Sequence, residues 1–415
     1  MTVTDPLSSW LLTTGWEFRI LPGFVAAFSQ RLVEAGIPVT RLRLTLRTLH
    51  PQLVGVTYTW EQGKEGIEEF EAPHSILSSE QYLKSPYAAI FDGAGGMRQR
   101  LDVPEVPLEF PILEELRAKG ATDYVAMPFL FRDGQINALT MTTDRAGGFQ
   151  ADELERVYGA LPALGRVVEL HAIQRTAKTL LETYIGRHTG DRVLRGLIKR
   201  GDGEEIYAVI WFCDLRDSTA LADSMQRPDF VDLLNDFFDC TAGSVLAHGG
   251  EVLRFIGDAV LAIFPMDAST AGADGPGQCL AHRQACRAAV SAAREAMERL
   301  GAMNAERARH RQPVLRAGIA MHVGEVMYGN IGVPERLEFS VIGAAANEAA
   351  RLQTLCKELD QPVLASEELA RMLPGIWASV GRHTLRGIAG RREIFALVEQ
   401  AVNGAASGVQ GHLMQ

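Results

Sequence analysis

Residues 249–264 constrain the fold of this chain most, because they predict two apolar strands joined by a two-residue turn. The segment is GGEVLRFIGDAVLAIF, with Gly257-Asp258 between the two apolar runs. A glycine followed by a small polar residue between such runs is typical of a tight β-hairpin, since glycine readily adopts the positive φ that the turn needs. The sequence therefore predicts a hairpin over 250–264 with the Asp258 carboxylate on its turn.

A strand that precedes the hairpin also ends at an aspartate. Residues 207–212 are an apolar run typical of a central strand, and Asp214 follows it before the polar stretch 216–219. An aspartate at a strand end is also a common helix cap, so Asp214 alone does not establish a site. If the hairpin lies beside this strand, Asp214 and Asp258 meet at one sheet edge. Two such carboxylates repel unless cations lie between them, and paired divalent ions about 3.5–4 Å apart serve phosphoryl transfer.

Three strings in this order give the chain a resemblance to a known family. FCDLRDST begins at Phe212, GGEVLRFIGDAVLAIF at Gly249 and EFSVIGAAANEAARL at Glu338, and a tail pattern, HTLRGIAGRREIFAL, begins at His383. Their order and approximate spacing resemble those of class III adenylyl and guanylyl cyclases over about residues 203–400. The resemblance implies an α+β, ferredoxin-like catalytic domain that converts ATP into 3′,5′-cyclic AMP and pyrophosphate.

The resemblance also implies which residues carry the reaction. The residues that match Asp214 and Asp258 hold two divalent cations per site, Mg²⁺ or Mn²⁺, with the carbonyl of Leu215 as a further ligand. Asn347 and Arg351 match the pair that positions the ribose and stabilises the pentavalent phosphorus. They lie four residues apart on a predicted helix and so share one face. Each site in this family forms between two chains, which makes homodimerisation an implied requirement.

The base-selecting positions depart from the usual adenylyl cyclase pattern of Lys with Asp or Thr, because they hold Arg254 and Ser340. The arginine keeps a donor for adenine N1, and the serine hydroxyl can accept from the N6 amino group. Guanylyl cyclases typically carry a glutamate at the first position, so ATP is favoured. A forked arginine can also read O6 or N7 of guanine. A guanylate or other nucleotidyl cyclase therefore stays open as an alternative.

Phosphate contacts are predicted where the first helix of this domain begins. The stretch is Arg216, Asp217, Ser218 and Thr219, and the free N–H groups of a helix N-terminus attract anions. Arg386 in the tail pattern is a further phosphate-binding candidate, with an ordinary surface arginine as the competing interpretation.

The first half of the chain predicts a separate α+β domain over residues 1–166. Alternating strand segments follow a helical start, and Asp133-Gly134 predicts a hairpin. The periodicity then becomes helical, and Pro162 should kink or divide that helix. The pattern resembles a GAF-type sensory domain that regulates the catalytic half. A small-molecule sensor and a dimerisation domain without a ligand both stay open.

Three connecting segments complete the predicted organisation. Residues 167–202 are predicted to be a helical linker whose apolar stripe suits either a two-stranded coiled coil or a helix packed on its own domain. Within the catalytic domain, 203–400, residues 268–278 are expected to be an exposed flexible loop. Residues 401–415 are expected to be a flexible tail.

Composition excludes several other classes of protein. The net charge of −10 argues against a sequence-independent grip on nucleic acid, which needs a basic surface. No apolar run of about 18 residues occurs, and no basic segment precedes the short apolar run at the N-terminus, so a cytoplasmic protein without a membrane partner is expected. The five cysteines form no CxxC pair and are expected to be reduced, buried thiols.

Two further functions compete with that of an active cyclase. A catalytically inactive nucleotide-binding regulatory module would have no chemical need for Asp214, Asp258, Asn347 and Arg351 together. A diguanylate cyclase is disfavoured because Val252-Leu253 interrupts the GG[DE]EF motif.

Overall fold

The computed structural model describes residues 5–103, 107–266 and 276–398, with the side chains of 276–279 left out. The predicted tail 401–415 and most of the predicted loop 268–278 lie outside the described residues, and the last three residues of that loop instead begin a helix. The chain divides into two compact units, Met1–Leu180 and Leu181–Gln415. Among the described residues, none of the helices combines the length and the apolar character that a bilayer crossing requires.

The first unit contains a six-stranded antiparallel sheet in the order β3-β2-β1-β6-β5-β4. Its strands are β1 (Arg41–Arg47), β2 (Leu53–Glu61), β3 (Glu68–Pro73), β4 (Met97–Arg100), β5 (Asp123–Leu130) and β6 (Ile136–Thr143). Its helices are α1 (Pro6–Thr13), α2 (Leu21–Glu34), α3 (Glu80–Leu83), α4 (Pro86–Phe91), α5 (Pro111–Ala118) and the long α6 (Ala151–Ile185), which ends in the second unit.

The alternating residues of β1 explain how this sheet gains a core. Leu42, Leu44 and Leu46 are buried against α2, while the intervening polar residues face the other side of the sheet. The predicted hairpin is confirmed as β5 and β6, with Gly134 at a φ of 86° in the connection.

Pro162 does not divide its helix, because α6 continues through it. The other predicted alternative, a kink at Pro162, stays a prediction. A proline removes the hydrogen bond to the carbonyl four residues earlier, here that of Tyr158. Tyr158 is 57% exposed and Pro162 is exposed as well, so water can satisfy the carbonyl that loses its partner.

The second unit is built on an eight-stranded sheet in the order β13-β14-β12-β10-β7-β9-β8, with β11 paired to β10. Its strands are β7 (Gly203–Leu215), β8 (Glu251–Ile256), β9 (Ala259–Met266), β10 (Ala317–Val333), β11 (Arg336–Ile342), β12 (Val363–Ser366), β13 (Trp377–Thr384) and β14 (Arg391–Leu397). Its helices are α7 (Arg187–Leu194), α8 (Ser218–Ser224), α9 (Arg227–Ala247), α10 (Pro276–Arg309), α11 (Ala344–Glu358) and α12 (Glu367–Met372).

Strand β7 lies between β10 and β9 in the sheet, and both of its faces are covered. Val209 and Trp211 pack in one apolar cluster with α9 and α10, and Ile210 packs on the other side with β11 and α11. Burial on both faces explains why residues 207–212 of β7 form an uninterrupted apolar run. The unit is α+β, as predicted, and the predicted hairpin is confirmed as β8 and β9.

The cysteines of the described residues are free and buried, as expected. They are Cys213, Cys240, Cys286 and Cys356.

Candidate active site

Two aspartates meet where β7 ends. Asp214 pairs in register with Ala259, the first residue of β9, so the neighbouring Asp258 lies on the turn directly beside it. Gly257, on the same turn, has a φ of 64°, which permits the tight reversal. The structure therefore brings together the two carboxylates that the sequence placed on separate elements.

The environment of Asp214 shows how closely the two groups interact. Burial, followed by hydrogen bonding to and charge repulsion from Asp258, raises the pKa of Asp214 from 3.8 to about 6. The Nε2 amide of Gln353 donates to Oδ2 of Asp214 at 3.1 Å and acts in the opposite direction. Two carboxyls in this arrangement either share a proton or have their negative charge balanced by a bound cation.

Gln353 is a site residue that sequence reasoning missed. It lies on α11 and reaches the metal-binding candidate Asp214 across 139 residues of sequence. The available signal was its position, since it is a polar residue directly after the buried Leu352 on an otherwise apolar helix face.

Asn347 and Arg351 are not brought to the two aspartates of the same chain. Both lie on α11 and both are exposed, with no hydrogen bond or ion pair to either side chain within the described ranges. At 3.6 residues per turn, Gln353 points about 120° away from Asn347 and about 160° away from Arg351. Because Gln353 faces Asp214, the pair on the same helix faces elsewhere.

The base-selecting candidates lie on two strands at the rim of the sheet. Arg254 on β8 forms an ion pair of 2.5 Å with Glu338 on β11, and Ser340 is buried two residues further along that strand. Residues two apart share a strand face, so Glu338 and Ser340 lie on one side of β11. Glu338 was missed from the sequence, where the alternation around Ser340 was the signal that could have identified it.

The predicted phosphate-binding stretch is partly engaged within the fold. The Arg216 guanidinium, 8% exposed, donates to the carbonyls of Cys356 and Gln361 and pairs with Asp360, while its backbone N–H donates to Arg316. Arg216 is therefore held inside the protein rather than available to a phosphate.

The remaining phosphate-binding candidates are separated. Asp217 has a left-handed backbone and pairs with Arg316 at 2.7 Å, whereas Ser218 and Thr219 begin α8. Arg386 lies in an exposed turn before β14, and no contact joins it to these residues in the described parts of the chain.

Comparisons with known proteins identify the family of the domain that contains these residues. Residues 204–397 match the family described as "Adenylate and Guanylate cyclase catalytic domain". They form a class III nucleotidyl cyclase domain. The chain is 35% identical over 250 residues to "Uncharacterized protein Rv1318c" of Mycobacterium tuberculosis, a match that covers 58% of this chain and 40% of that protein. It is 34% identical over 224 residues to "Uncharacterized protein Rv1320c" of the same organism, covering 54% of this chain and 35% of the relative.

Solved structures similar to the cyclase domain include enzymes named for both nucleotides. The adenylyl cyclase CyaB from P. aeruginosa matches with a TM-score of 0.40 and 23% identity, over 49% of this chain and 99% of that one. The guanylyl cyclase Cya2 matches with a TM-score of 0.39 and 24% identity, over 48% of this chain and 97% of that one.

The residues at the edge of the cyclase domain fit a pair of divalent cations. Mg²⁺ and Mn²⁺ take hard oxygen ligands, and the carboxylates of Asp214 and Asp258 are two such ligands at one place. The carbonyl of Leu215 stays the further ligand that the resemblance implies. Burial raises the pKa of Asp214 most, and the neighbouring Asp258 raises it further, so a cation bound here would relieve the repulsion between the two carboxyls.

We expect Asp214→Asn to stabilise the metal-free protein. The pKa of Asp214 is raised from 3.8 to about 6 on folding, so its charge opposes folding fully above about pH 6 and not at all below about pH 4. The amide removes this charge and should stabilise the fold by about 1–3 kcal/mol near pH 8. Thermal unfolding in EDTA near pH 8 and near pH 4.5 measures the difference, which should shrink at the lower pH.

Asp217→Asn is the matched control for this measurement. The Asp217 carboxylate is exposed, and Arg316 holds its pKa below the usual value, so its amide should not stabilise the protein. Equal stability of Asp214→Asn and the parent at the higher pH would contradict the close pairing of Asp214 with Asp258.

Proposed function

We propose that this chain is an adenylate cyclase that converts ATP into 3′,5′-cyclic AMP and pyrophosphate at sites formed between two copies of the chain. The observation that carries this proposal is the contact between Asp214 and Asp258 at the end of β7, inside a domain of the cyclase family. The cations held by this pair would neutralise the triphosphate and lower the pKa of the ribose 3′-hydroxyl.

The other residues act on the nucleotide itself. The ribose 3′-hydroxyl would give its proton to water, its oxygen would attack the α-phosphorus, and the bond from that phosphorus to the departing pyrophosphate oxygen would break. Arg351 is suited to the oxygens of the pentavalent phosphorus because its charge is permanent and its donors are forked. Asn347, one helical turn earlier on the same face, would orient the ribose.

The orientation of α11 supports assembly of the site from two chains. Gln353 directs one face of α11 to Asp214 of its own chain, whereas Asn347 and Arg351 point away from it and are exposed. These exposed residues are available to the nucleotide held by a second chain. A symmetric dimer would form two such sites, since each chain offers both halves.

Exposed apolar side chains support the same dimer. Phe255 and Ile256, just before the turn of Asp258, are 54% and 45% exposed, and Ile342, just before α11, is 45% exposed. Apolar residues beside both halves of the site are the kind of surface that a partner chain covers. Leu170 and Ile173 of the long α6 are also exposed, at 55% and 59%, and suit the predicted helical contact.

Guanylate cyclase activity is the second candidate function, and Glu338 is the observation that favours it. Guanine presents donors at N1 and N2, and a carboxylate is the acceptor that they require. Glu338 supplies one, although its present partner is Arg254. Adenine remains favoured because the Arg254 guanidinium can donate to N1 and the Ser340 hydroxyl can accept from N6.

Product identification with ATP, GTP, CTP and UTP in parallel, with Mn²⁺ present, tests the choice of base. We expect cyclic AMP as the main product. Glu338→Gln should lower any conversion of GTP by roughly tenfold or more while leaving that of ATP largely unchanged, because only guanine uses the carboxylate as an acceptor. Glu335→Gln, an exposed glutamate just before β11, is the control. A main product of cyclic GMP would replace the adenylate assignment with the guanylate one.

The first unit contains a cavity that supports a regulatory role for it. The cavity has a volume of about 650 Å³ and is lined in part by Arg43, Arg47, Thr140 and Tyr87. The Arg43 guanidinium lies 5.6 Å from the centre of the Tyr87 ring, and its buried Nε has no hydrogen-bond partner in the described residues. Such a cavity suits a small anionic effector, in keeping with the predicted sensory domain.

A thermal-shift screen of the full chain with small carboxylates and phosphates tests this role. A shift that Arg43→Ala abolishes, together with a change in cyclase rate, supports regulation. Absence of both effects across the screen would leave the first unit without a sensory function.

A further inference from the structure

A second cluster of metal-binding side chains lies away from the two aspartates. His322 on β10, Glu348 on α11 and Glu368 on α12 each direct one donor atom to a common point, and these three atoms lie within 4.8 Å of one another. His322 is four residues along β10 from Gly318, the register partner of Asp214. At about 3.3 Å per residue, the cluster is roughly 13 Å from the cyclase carboxylates.

Two of the three side chains, His322 and Glu348, are buried and each has a donor atom without a partner among the described residues. His322 is 6% exposed and Glu348 is 8% exposed. The His322 Nδ1 and Glu348 Oε1 atoms have no hydrogen-bond partner among the described residues. Buried polar atoms of native proteins almost always have one, so the two atoms call for a ligand.

The distances exclude hydrogen bonds within the cluster. His322 Nδ1 lies 3.9 Å from Glu348 Oε1 and 3.8 Å from Glu368 Oε2, beyond the range of a hydrogen bond. Donors bound 2.0–2.2 Å from a tetrahedral ion are separated by roughly 3.4 Å. His322 Nδ1 would have to approach each carboxylate by about half an ångström, and the three donor atoms, all within 4.8 Å of one another, would have to close by at most about 1.4 Å to surround one ion.

The charges around the cluster are compatible with a cation. Burial lowers the pKa of His322 to about 4, so its imidazole is neutral at neutral pH and has a lone pair to offer. Glu348 and Glu368 contribute two carboxylates, of which Glu348 has a pKa raised by burial. Arg392 is the nearby cation, with its Nε 3.8 Å from Glu348 Oε1, but its side chain is 46% exposed and free to move into solvent.

We propose that His322, Glu348 and Glu368 bind one transition-metal dication of the Zn²⁺ type. An imidazole nitrogen with two carboxylate oxygens is a ligand set for Zn²⁺ and related ions, whereas Mg²⁺ prefers oxygen ligands alone. The ion would tie α11 to β10 and α12. Because Glu348 follows Asn347 directly, this ion is a positioning element for the helix that carries Asn347 and Arg351, and it is not a catalytic group.

Zinc binding to the full chain tests the proposal in an Asp258→Asn background, which removes a ligand of the active-site metals. Equilibrium dialysis with Zn²⁺ and elemental analysis should give one ion per chain, and Zn²⁺ should raise the thermal midpoint. His322→Gln and Glu368→Gln in the same background should each weaken binding by at least about tenfold. The readout is metal content, so it does not depend on cyclase turnover.

The controls separate a built site from loss of fold and from surface binding. Glu368 is only partly buried, so its amide tests the site even if His322→Gln unfolds. His248→Ala removes another histidine that contacts a carboxylate, Glu295, and should leave zinc content unchanged. Folded protein that binds no Zn²⁺, or that binds it equally well with Glu368→Gln, overturns the proposal.

Discussion

Asp258→Asn is expected to lower the formation of cyclic nucleotide by at least about a thousandfold, because the metal-held charge stabilisation lost is worth several kcal/mol. The amide keeps the size and the turn position of Asp258 but removes the negative charge that faces Asp214. Initial rates with ATP and Mn²⁺, with product identified by chromatography, measure the loss.

Asp223→Asn is the matched control for this substitution. Asp223 is an exposed aspartate on the nearby α8, so its amide should leave the rate within about twofold of the parent. Folding of each variant is checked by its thermal midpoint in EDTA. A folded Asp258→Asn protein that keeps more than about a tenth of the parent rate would show that the metals are held elsewhere.

Mixing two inactive variants is expected to restore activity, because each site is proposed to take its residues from two chains. Arg351→Ala should be at least about a hundredfold slower than the parent, because it removes a charged donor to the transition state. When Arg351→Ala and Asp258→Asn chains are mixed in equal amounts, half of the dimers should contain one chain of each kind. In those dimers one of the two sites is intact, so about a quarter of the parent activity should return.

A same-half pair provides the control for complementation. Asp214→Asn mixed with Asp258→Asn should show no recovery, since both substitutions damage the same half of every site. Differently tagged chains, recovered together by pull-down, confirm that mixed dimers have formed. Mixed dimers of Arg351→Ala and Asp258→Asn that remain inactive would place Asn347 and Arg351 in the same site as the aspartates of their own chain.

The meeting of Asp214 and Asp258 at one sheet edge was predictable because it depends on strand pairing alone. Alternation and the Gly257-Asp258 turn define the hairpin, and the apolar run of β7 makes it the natural neighbour, so Asp214 and Asp258 could be placed together. The contacts of Gln353 and Glu338 could not, because they join elements far apart in the chain through side-chain directions that the pattern does not contain.

The outcomes at Pro162 and Arg216 also depend on the tertiary environment, which the sequence pattern does not contain. Pro162 stands inside α6 without ending it, and both Pro162 and Tyr158 lie on an exposed part of the helix, which the sequence does not reveal. The sequence motif suggests that Arg216 contacts a phosphate, yet the last turn of α11 provides the carbonyl of Cys356, and the loop after it provides the carbonyl of Gln361 and the carboxylate of Asp360. A local sequence pattern suggests which residues could form a site. The tertiary environment determines which of their atoms remain free to bind a ligand.

The positions of the strands also bear on how such enzymes diversify. Asp214, the proposed metal ligand, is on the central strand β7, whereas Arg254 and Glu338 lie on β8 at the sheet margin and on the accessory strand β11. Their side chains are 31% and 44% exposed, and substitutions at such positions rarely cost much stability. After gene duplication, a copy can therefore acquire a different nucleotide preference through one or two changes at this margin while inheriting its reaction chemistry intact.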